Sequence, residues 1–159
     1  KINPSIELSV ISLFKFFLDK GYKPTKIDYL LNHRSGLLGV SEVSRDMREL
    51  LQSNKPSAKL AIDMFCYRVA KYIGAYLAVL DGADAIVFSA GIGEKAGSVR
   101  REIISRLAFI GVKLDAKKNS TNATTITTEK SRIKIFVIEA NESLMIAKEV
   151  NAVLKLPSK

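Results

Sequence analysis

Tryptophan is absent from this sequence, and cysteine and histidine each occur once, as Cys66 and His33. A lone cysteine excludes a disulfide framework and fits a cytoplasmic location, where thiols stay reduced. Because Cys66 lies in an apolar segment, we expect a buried helical residue rather than a reactive thiol. His33 stands in "NHRSG", near an expected helix end, where a solvated ring is the expected role and catalysis is not.

The sequence also lacks the apolar run of roughly 18 residues that a membrane-spanning helix needs. Its longest candidate, residues 58–80, is interrupted by Lys59, Asp63, Arg68 and Lys71. The opening "KINPSIEL" has neither an initial Met nor the apolar core of a signal peptide. We therefore expect no membrane partner, and we expect the chain to be part of a longer protein.

The net charge is +9, but no block of five like charges occurs. Lysine and arginine are spread over every segment and mixed with aspartate and glutamate. A nucleic-acid surface would need basic residues on one face, with aromatic residues among them. The charge therefore indicates a solvated surface, suited at most to anionic small molecules, and no nucleic-acid partner is expected.

Helical and strand patterns alternate along the chain, which predicts one α/β unit without a clear boundary. The predicted helices cover 4–19, 24–36, 43–52, 57–80, 98–111 and 141–155, with 37–42 as a loop. Thr25 and Asp28 have the spacing of a capping box, and Asn141 that of an N-cap. The helix over 57–80 is expected to be buried on most sides. "AIVFSA" predicts a strand buried on both faces, and residues 124–140 hold two further β-rich runs.

The stretch "FSAGIGEKAG", residues 88–97, is typical of a strand that ends in a phosphate-binding glycine loop before a helix. Gly91 and Gly93 allow positive φ and a close approach of a ligand to the backbone. The helix that follows would direct its unpaired N–H groups at an anion. For an isolated G-x-G pattern, glycines that serve turn geometry alone are at least as common.

The same stretch also matches the dinucleotide fingerprint G-x-G-x-x-G/A, with Ala96 as its last residue. Asp115 follows Gly93 by about 20 residues, close to where a ribose-binding acid belongs. A nicotinamide or flavin dehydrogenase thus stays open from this stretch alone. Against it, Glu94 and Lys95 are charged where such helices pack closely, and "VKLD" is weak as a second buried strand.

Three longer blocks decide between these interpretations: "SGLLGVSEVSRDMREL", residues 58–103 around "SAGIGEKAG", and "VIEANESLMIAKEV". In order and spacing they resemble the C-terminal half of acetate kinases, and "INPSI" resembles the segment just after that family's catalytic arginine. Propionate kinases share the same blocks. The likeness covers nearly the whole chain and is weakest over "KKNSTNATTITTEK".

This resemblance implies a partial α/β domain of the ribonuclease-H-like superfamily of actin, sugar kinases and heat-shock chaperones, with a mixed sheet flanked by helices. The chain would be the C-terminal, nucleotide-binding part of a two-domain enzyme. Its final helix, 141–155, would pack toward the N-terminal domain. The implied reaction converts ATP and acetate reversibly into ADP and acetyl phosphate with Mg²⁺. Acetate, possibly propionate, would be the substrate, and the full-length enzyme would be a homodimer.

In "SRDMREL" the family's nucleotide-contacting Asp-Phe-Arg falls on Asp46, Met47 and Arg48. The resemblance implies that Asp46 accepts hydrogen bonds from the nucleotide and that Met47 makes an apolar contact with the adenosine. Arg48 would lie near the nucleotide with its planar donors. Met47 in place of Phe and Arg45 in place of Ser are departures from the family pattern. Taken alone, this stretch would be a solvated helix start.

In "AGIGEK" the family's "GIGEN" falls on Gly91, Ile92, Gly93, Glu94 and Lys95. Gly91 and Ile92 would lie against the adenosine. Lys95 replaces the usual Asn and cannot accept a hydrogen bond, so one adenosine contact is lost unless the charge acts on the phosphates.

In "ANESL" the family's magnesium-associated glutamate falls on Glu142. A glutamate in a first helical turn is also common for its dipole interaction alone. No catalytic residue is expected in this chain, because the family's acetate-side groups lie upstream. The isolated chain should thus be inactive, and a non-catalytic nucleotide-binding module is the alternative from another functional class.

Overall fold

The computed structural model describes residues 5–154, with side chains from residue 12 onward. The predicted helix start at residue 4, the first residues of "INPSI" and the predicted end at 155 lie outside this range. Within it, the elements are α1 (Ser5–Asp19), α2 (Pro24–His33), α3 (Gly36–Ser41), α4 (Met47–Gln52), α5 (Pro56–Val79), β1 (Ala85–Ser89), α6 (Ala90–Lys95), α7 (Gly97–Ser105), a 3₁₀ turn (Ala108–Ile110), α8 (Ala116–Ser120), β2 (Lys134–Ile138) and α9 (Glu142–Leu154).

The chain divides into two compact units, with the boundary between Phe65 and Cys66, inside α5. The prediction of a single unit was therefore wrong. Each unit has buried side chains of its own, and a continuous helix at the boundary leaves no loop or linker in the sequence to mark it. We call them the first unit, up to Phe65, and the second unit, from Cys66.

In the first unit the core is formed by Leu50, Ala58 and Ala61, with Leu37 and Val40 among the side chains packed against it. The segment predicted as a loop is the short helix α3. Its apolar side chains Leu37 and Val40 have helical spacing, and their burial stabilises a turn that its glycine and serine disfavour.

The capping box predicted in α2 was wrong. The helix begins at Pro24, and its N-cap, Lys23, makes no side-chain capping bond. Proline is favoured at the first helical position, since its φ is already helical and its missing N–H would have been unpaired there. Thr25 therefore lies inside the helix.

In the second unit β1 and β2 pair in parallel, with Ala85 opposite Lys134 and Ser89 opposite Ile138. The described sheet is thus a parallel pair rather than the mixed sheet expected. Its antiparallel pairing is confined to isolated bridges, Leu114 with Thr127 and Thr125 with Phe136. The first β-rich run forms only these bridges, because its residues divide between two partners: Thr125 pairs with Phe136 in the middle of β2, and Thr127 pairs with Leu114.

β1 is buried on one face, which corrects the expectation of two. Phe88 is buried, whereas Val87 is 53% exposed. Successive strand side chains point to opposite faces, and nothing in the described part of the chain covers the face of Val87. Elsewhere in this unit, the side chains of Val99, Ile103 and Ile135 are also buried.

The long helix α5 is also less buried than predicted. Its small residues Ala58, Ala61, Cys66 and Ala70 are buried at helical spacing, which confirms the buried thiol. The aromatic residues on the rest of its surface are exposed: Tyr67, Tyr72 and Tyr76. No helix among the described residues has the length and apolar character needed to cross a membrane.

The last helix, α9, begins as predicted at the Asn141 cap. The Leu144 N–H donates to Asn141 Oδ1 at 2.9 Å. None of the residues of α9 is buried. Its exposed apolar side chains are Leu144, Met145, Ile146, Val150, Val153 and Leu154.

Candidate functional site

Asp46 is the N-cap of α4, and Arg48 engages both of its carboxylate oxygens. Asp46 Oδ1 accepts from the Arg48 backbone N–H at 2.8 Å and from Arg48 Nε at 3.0 Å. Arg48 Nη2 forms an ion pair with Oδ2. These hydrogen bonds, first from the side chain and then from the backbone of Arg48, lower the pKa of Asp46 from 3.8 to about 2. Asp46 is therefore a carboxylate at any physiological pH.

Ser41, which is fully buried, anchors the loop before Asp46 through hydrogen bonds. Ser41 Oγ accepts from the N–H groups of Val43 and Ser44 at 3.1 and 3.3 Å. The Asp46 N–H in turn donates to Ser44 Oγ at 3.0 Å. Ser57 Oγ, from the start of α5, donates to the Ser41 carbonyl at 2.7 Å. The position of Asp46 is therefore set by the fold and not by α4 alone.

The other predicted residues of this segment differ in accessibility. The Arg48 side chain is 87% exposed, so its guanidinium can reach a ligand. Met47 is 3% exposed, so only a small edge of its side chain remains for the predicted adenosine contact. Beside this loop lies an open pocket of about 340 Å³ lined by Tyr29, His33, Arg34, Leu38, Val43, Ser44 and Arg45. Arg45, which replaces the family's usual Ser, and His33 both line this pocket. His33 is exposed at the end of α2, as predicted.

In the second unit the glycine stretch after β1 is a short helix, α6, and not an open loop. The residue with positive φ is Ala90, at 59°, rather than Gly91 or Gly93. The chain thus reverses at Ala90 and enters a helix at once. A Cβ on Gly93 would approach the Phe88 carbonyl carbon to 3.4 Å, so this glycine allows α6 to pack on the strand. Gly91 is exposed and has no such neighbour within 4 Å.

Two of the predicted binding segments meet at the carboxyl end of the parallel pair. Ser89 Oγ donates to the Ile138 carbonyl at 2.8 Å and ties the two strand ends together. α6 follows β1 directly, and α9 follows β2 after a short connection. Glu94 Oε1 accepts from the Ala140 N–H at 2.7 Å, which links α6 to the residues just before α9. Carboxyl ends of parallel strands are where open α/β sheets bind ligands.

Arg100, on α7, is a central residue of this region that the sequence reasoning missed. It is fully buried, and all five of its N–H donors are used. Its Nη1 donates to the carbonyls of Gly93 and Glu94 at 2.7 and 2.8 Å. The remaining donors reach Asn119 Oδ1 and carbonyl oxygen, both at 2.9 Å, and Asn122 Oδ1 at 2.6 Å. Burial lowers the pKa of the Arg100 guanidinium, which nevertheless stays protonated at neutral pH.

A signal for Arg100 was present in the sequence. Val99, Ile103 and Ile104 form the apolar stripe of α7, and Arg100 falls on that stripe rather than on the polar face. A charged residue at a buried helical position needs a complete set of partners. Asn119 and Asn122, which supply them, gave no pattern of their own.

Glu142 is the first residue of α9 and is exposed. Within residues 5–154, no group of three or more His, Cys, Asp or Glu side chains could hold a metal by itself. Mg²⁺ does not require such a cage, since it is commonly bound by one or two carboxylates together with substrate phosphates and water. An accessible carboxylate at this sheet edge fits that mode.

Asp115 has a structural role that disfavours the dinucleotide interpretation. It is the N-cap of α8, and its Oδ1 accepts from the Lys118 N–H at 3.0 Å. Its other oxygen lies 3.9 Å from Lys118 Nζ. These contacts account for an aspartate at this position without a bound ribose.

Comparisons with known proteins agree with the sequence blocks. The model of the acetokinase family matches residues 5–148. The chain is 48% identical over 134 residues to an acetate kinase of Carboxydothermus hydrogenoformans, an alignment covering 82% of this chain and 34% of that protein. The chain thus spans about a third of the length of the curated relatives it matches.

Solved structures share its α/β fold, in which helices flank a small parallel sheet. The crystal structure of Porphyromonas gingivalis acetate kinase matches with a TM-score of 0.82 and 31% identity, over 98% of this chain and 39% of that one. A propionate kinase from Francisella tularensis matches with a TM-score of 0.77 and 41% identity, over 94% and 38%. On the family match and these relatives together, the chain belongs to the acetokinase family.

Proposed function

We propose that this chain supplies most of the nucleotide site of an acetate kinase. The observation that carries the proposal is the meeting of α6 and the start of α9 at the carboxyl edge of β1 and β2, joined by the bond from Ala140 to Glu94. Family membership supports a nucleotide as the ligand at that edge.

In the second unit, Gly91 and Ile92 lie against the adenosine in this proposal. Gly91 is suited to this role because it is exposed and has no side chain to separate a ligand from the backbone. Gly93 keeps α6 close to Phe88, and Glu94 orients the segment through Ala140. Lys95 is exposed, so its ammonium group is free to act near the phosphates rather than on the base.

In the first unit, Asp46 accepts hydrogen bonds from the nucleotide, and Arg48 places its planar donors near it. Asp46 still has lone pairs to offer, because a carboxylate can accept about four hydrogen bonds. Met47 contributes an apolar contact through its exposed edge and otherwise anchors the segment in the core.

Glu142 is the residue of this chain that would hold Mg²⁺, together with phosphate oxygens. The bound ion would neutralise the phosphate charge that develops during phosphoryl transfer. In the described part of the chain, Glu142 is the residue assigned to that function, and its exposure leaves room for water ligands.

For the whole enzyme we propose the reversible transfer of a phosphoryl group from ATP to acetate. A carboxylate oxygen of acetate forms a bond to the γ-phosphorus, and the bond to the β,γ-bridging oxygen breaks, leaving ADP. The groups that act on acetate belong to the rest of the enzyme, so the chain alone is expected to show only background activity. We further propose that the enzyme has the actin-like superfamily fold and that α9 docks on its N-terminal domain. We also propose that the enzyme is a homodimer and is located in the cytoplasm.

Propionate is a second candidate substrate. The propionate kinase structure is more similar in sequence to this chain than the Porphyromonas acetate kinase structure, at 41% against 31% identity. The nucleotide segments cannot separate the two acids, since they do not touch the acyl group in this proposal. Competing assays on the full-length enzyme decide this point.

Calorimetric titration of the chain with Mg·ADP, and separately with NAD⁺, tests the proposal. We expect ADP to bind and NAD⁺ not to bind. Asp46→Asn keeps a good N-cap and removes the charge, so weaker ADP binding would report on the ligand and not on α4. Glu142→Gln should weaken binding in the presence of Mg²⁺, while Glu149→Gln, also exposed on α9, serves as the control. NAD⁺ binding would overturn the proposal.

A further inference from the structure

Arg100 is an unusual buried cation, because its acceptors are all neutral oxygens. Three are backbone carbonyls and two are asparagine side chains, and no carboxylate is among its partners in the described part of the chain. Removing a guanidinium from water is costly unless every donor is satisfied. Five matched acceptors meet that requirement, so the surrounding backbone is arranged around this one side chain.

The two carbonyls that Arg100 Nη1 holds, Gly93 and Glu94, belong to the last turn of α6. Carbonyls at a helix C-terminus are unpaired within the helix and carry partial negative charge, so a cation there is favourable. α6 has only 6 residues, too few to be stable alone. Its geometry must therefore come from such contacts.

The packing around the guanidinium leaves little freedom. Asn119 Nδ2 donates to the Gly97 carbonyl at 2.8 Å, and a Cβ on Gly97 would lie 3.0 Å from the Asn119 carbonyl oxygen. Asn122 adopts a left-handed φ of 52° beside its bond to Arg100. A glycine and a left-handed asparagine at these positions indicate a cluster built to hold the guanidinium.

We propose that Arg100 is a positioning residue for nucleotide binding. From inside the second unit it fixes the backbone of Gly93 and Glu94, and through the Glu94 carboxylate it sets where α9 and Glu142 begin. This inference rests on the proposed nucleotide site and deepens it. Because Arg100 is fully buried and has no unused donor, it acts through α6 and does not touch the phosphates.

Arg100→Lys tests this role, since lysine keeps the charge but has three donors on a single nitrogen and cannot span five acceptors. We expect its Kd for Mg·ADP to rise at least about tenfold, as for the loss of charge-assisted bonds. Hydrogen exchange gives a local measure. The Ala96 amide, bonded to the Ile92 carbonyl, should exchange at least about tenfold faster, and the Val137 amide of β2 should keep its rate. Arg101→Lys, at an exposed position on the same helix, is the control and should change neither quantity.

Asn122→Gly provides a milder variant if Arg100→Lys does not fold. Glycine accepts the positive φ and removes only one acceptor, so we expect roughly a two- to fivefold loss of ADP affinity. ADP affinity in both variants equal to that of Arg101→Lys would overturn the positioning role. Faster exchange at Val137 as well as at Ala96 would also overturn it, since that result indicates a general structural role. Absence of ADP binding by the folded wild-type chain would instead refute the proposed nucleotide site.

Discussion

Gly91 and Gly97 lie at either end of the same segment, and an added side chain would meet different surroundings at each. A Cβ on Gly91 would meet no heavy atom within 4 Å, and its φ is not positive. A Cβ on Gly97 would lie 3.0 Å from the Asn119 carbonyl oxygen and 3.4 Å from Arg100 Nη2. Alanine at each position therefore tests whether Gly91 faces a ligand, as we propose, against a glycine whose space is limited by packing.

The magnitudes follow from these contacts. Gly91→Ala should leave stability unchanged or raise it by up to about 1 kcal/mol, because alanine favours a helix over glycine. Gly97→Ala forces a backbone carbonyl aside, and such overpacking costs about 1–3 kcal/mol. For a domain of this size, each kcal/mol lowers Tm by about 2–4 °C. In our proposal the adenosine lies on Gly91, so its added methyl group should weaken ADP binding about tenfold, or about 1.4 kcal/mol.

The assay is a thermal melt of each variant, followed by calorimetric titration with Mg·ADP below Tm. We expect Gly91→Ala to be stable and binding-deficient. We expect Gly97→Ala to be destabilised. Any loss of its affinity for ADP should come indirectly, from displacement of the neighbouring Arg100 side chain. Wild-type affinity in Gly91→Ala would refute the assignment of Gly91 to the nucleotide surface.

Three further predictions concern the side chains that orient the binding segments. Ser41→Ala leaves two backbone N–H groups without their acceptor and should reduce the free energy of unfolding by about 1–2 kcal/mol in chemical denaturation; an unchanged midpoint would contradict it. Arg48→Ala should raise the pKa of Asp46 from about 2 toward 3.8 in a carboxyl NMR titration, since the Arg48 side chain is the main cause of the depression. Because the folded pKa is the lower one, the stabilisation is complete above pH 3.8 and is lost as the pH falls through about 2. An Arg48→Ala effect on stability that persists undiminished below about pH 2 would contradict the assignment. Glu94→Gln keeps an acceptor for the Ala140 N–H and should bind ADP within about threefold of wild type, whereas Glu94→Ala should bind about tenfold more weakly; equal affinities for the two variants would show that this bond does not matter.

The sequence was most informative where a local rule and the tertiary structure agree. The strand at "AIVFSA", the long helix over 57–80 and the Asn141 cap were all predicted. The structure has the strand at Ala85–Ser89, the helix at Pro56–Val79 and the cap bond from the Leu144 N–H. A run of apolar residues, helical periodicity and an asparagine before a helix each determine structure over a few residues. The family resemblance, which the comparisons confirm, came from several such blocks in register.

The failures share a physical cause, since each depends on distant contacts. The glycines of "GIGEK" indicated an open loop, but bonds from Arg100 and packing on Phe88 hold the stretch as a helix. The residue with positive φ is Ala90, whereas sequence rules for turns assign that conformation to glycine. Burial on both faces of β1 was inferred from its apolar composition, but Val87 is 53% exposed because no described element packs on its face.

The central claim is that a nucleotide binds at the carboxyl edge of β1 and β2. Mapping backbone amide shifts of the ¹⁵N-labelled chain during titration with Mg·ADP tests it most directly. We predict saturable shifts at residues 90–96 and 140–143, and little change at residues 128–131 or around the Asp115 cap. Shifts centred on Asp115, or none at 90–96 when the other amides show a folded chain, would contradict the proposed site.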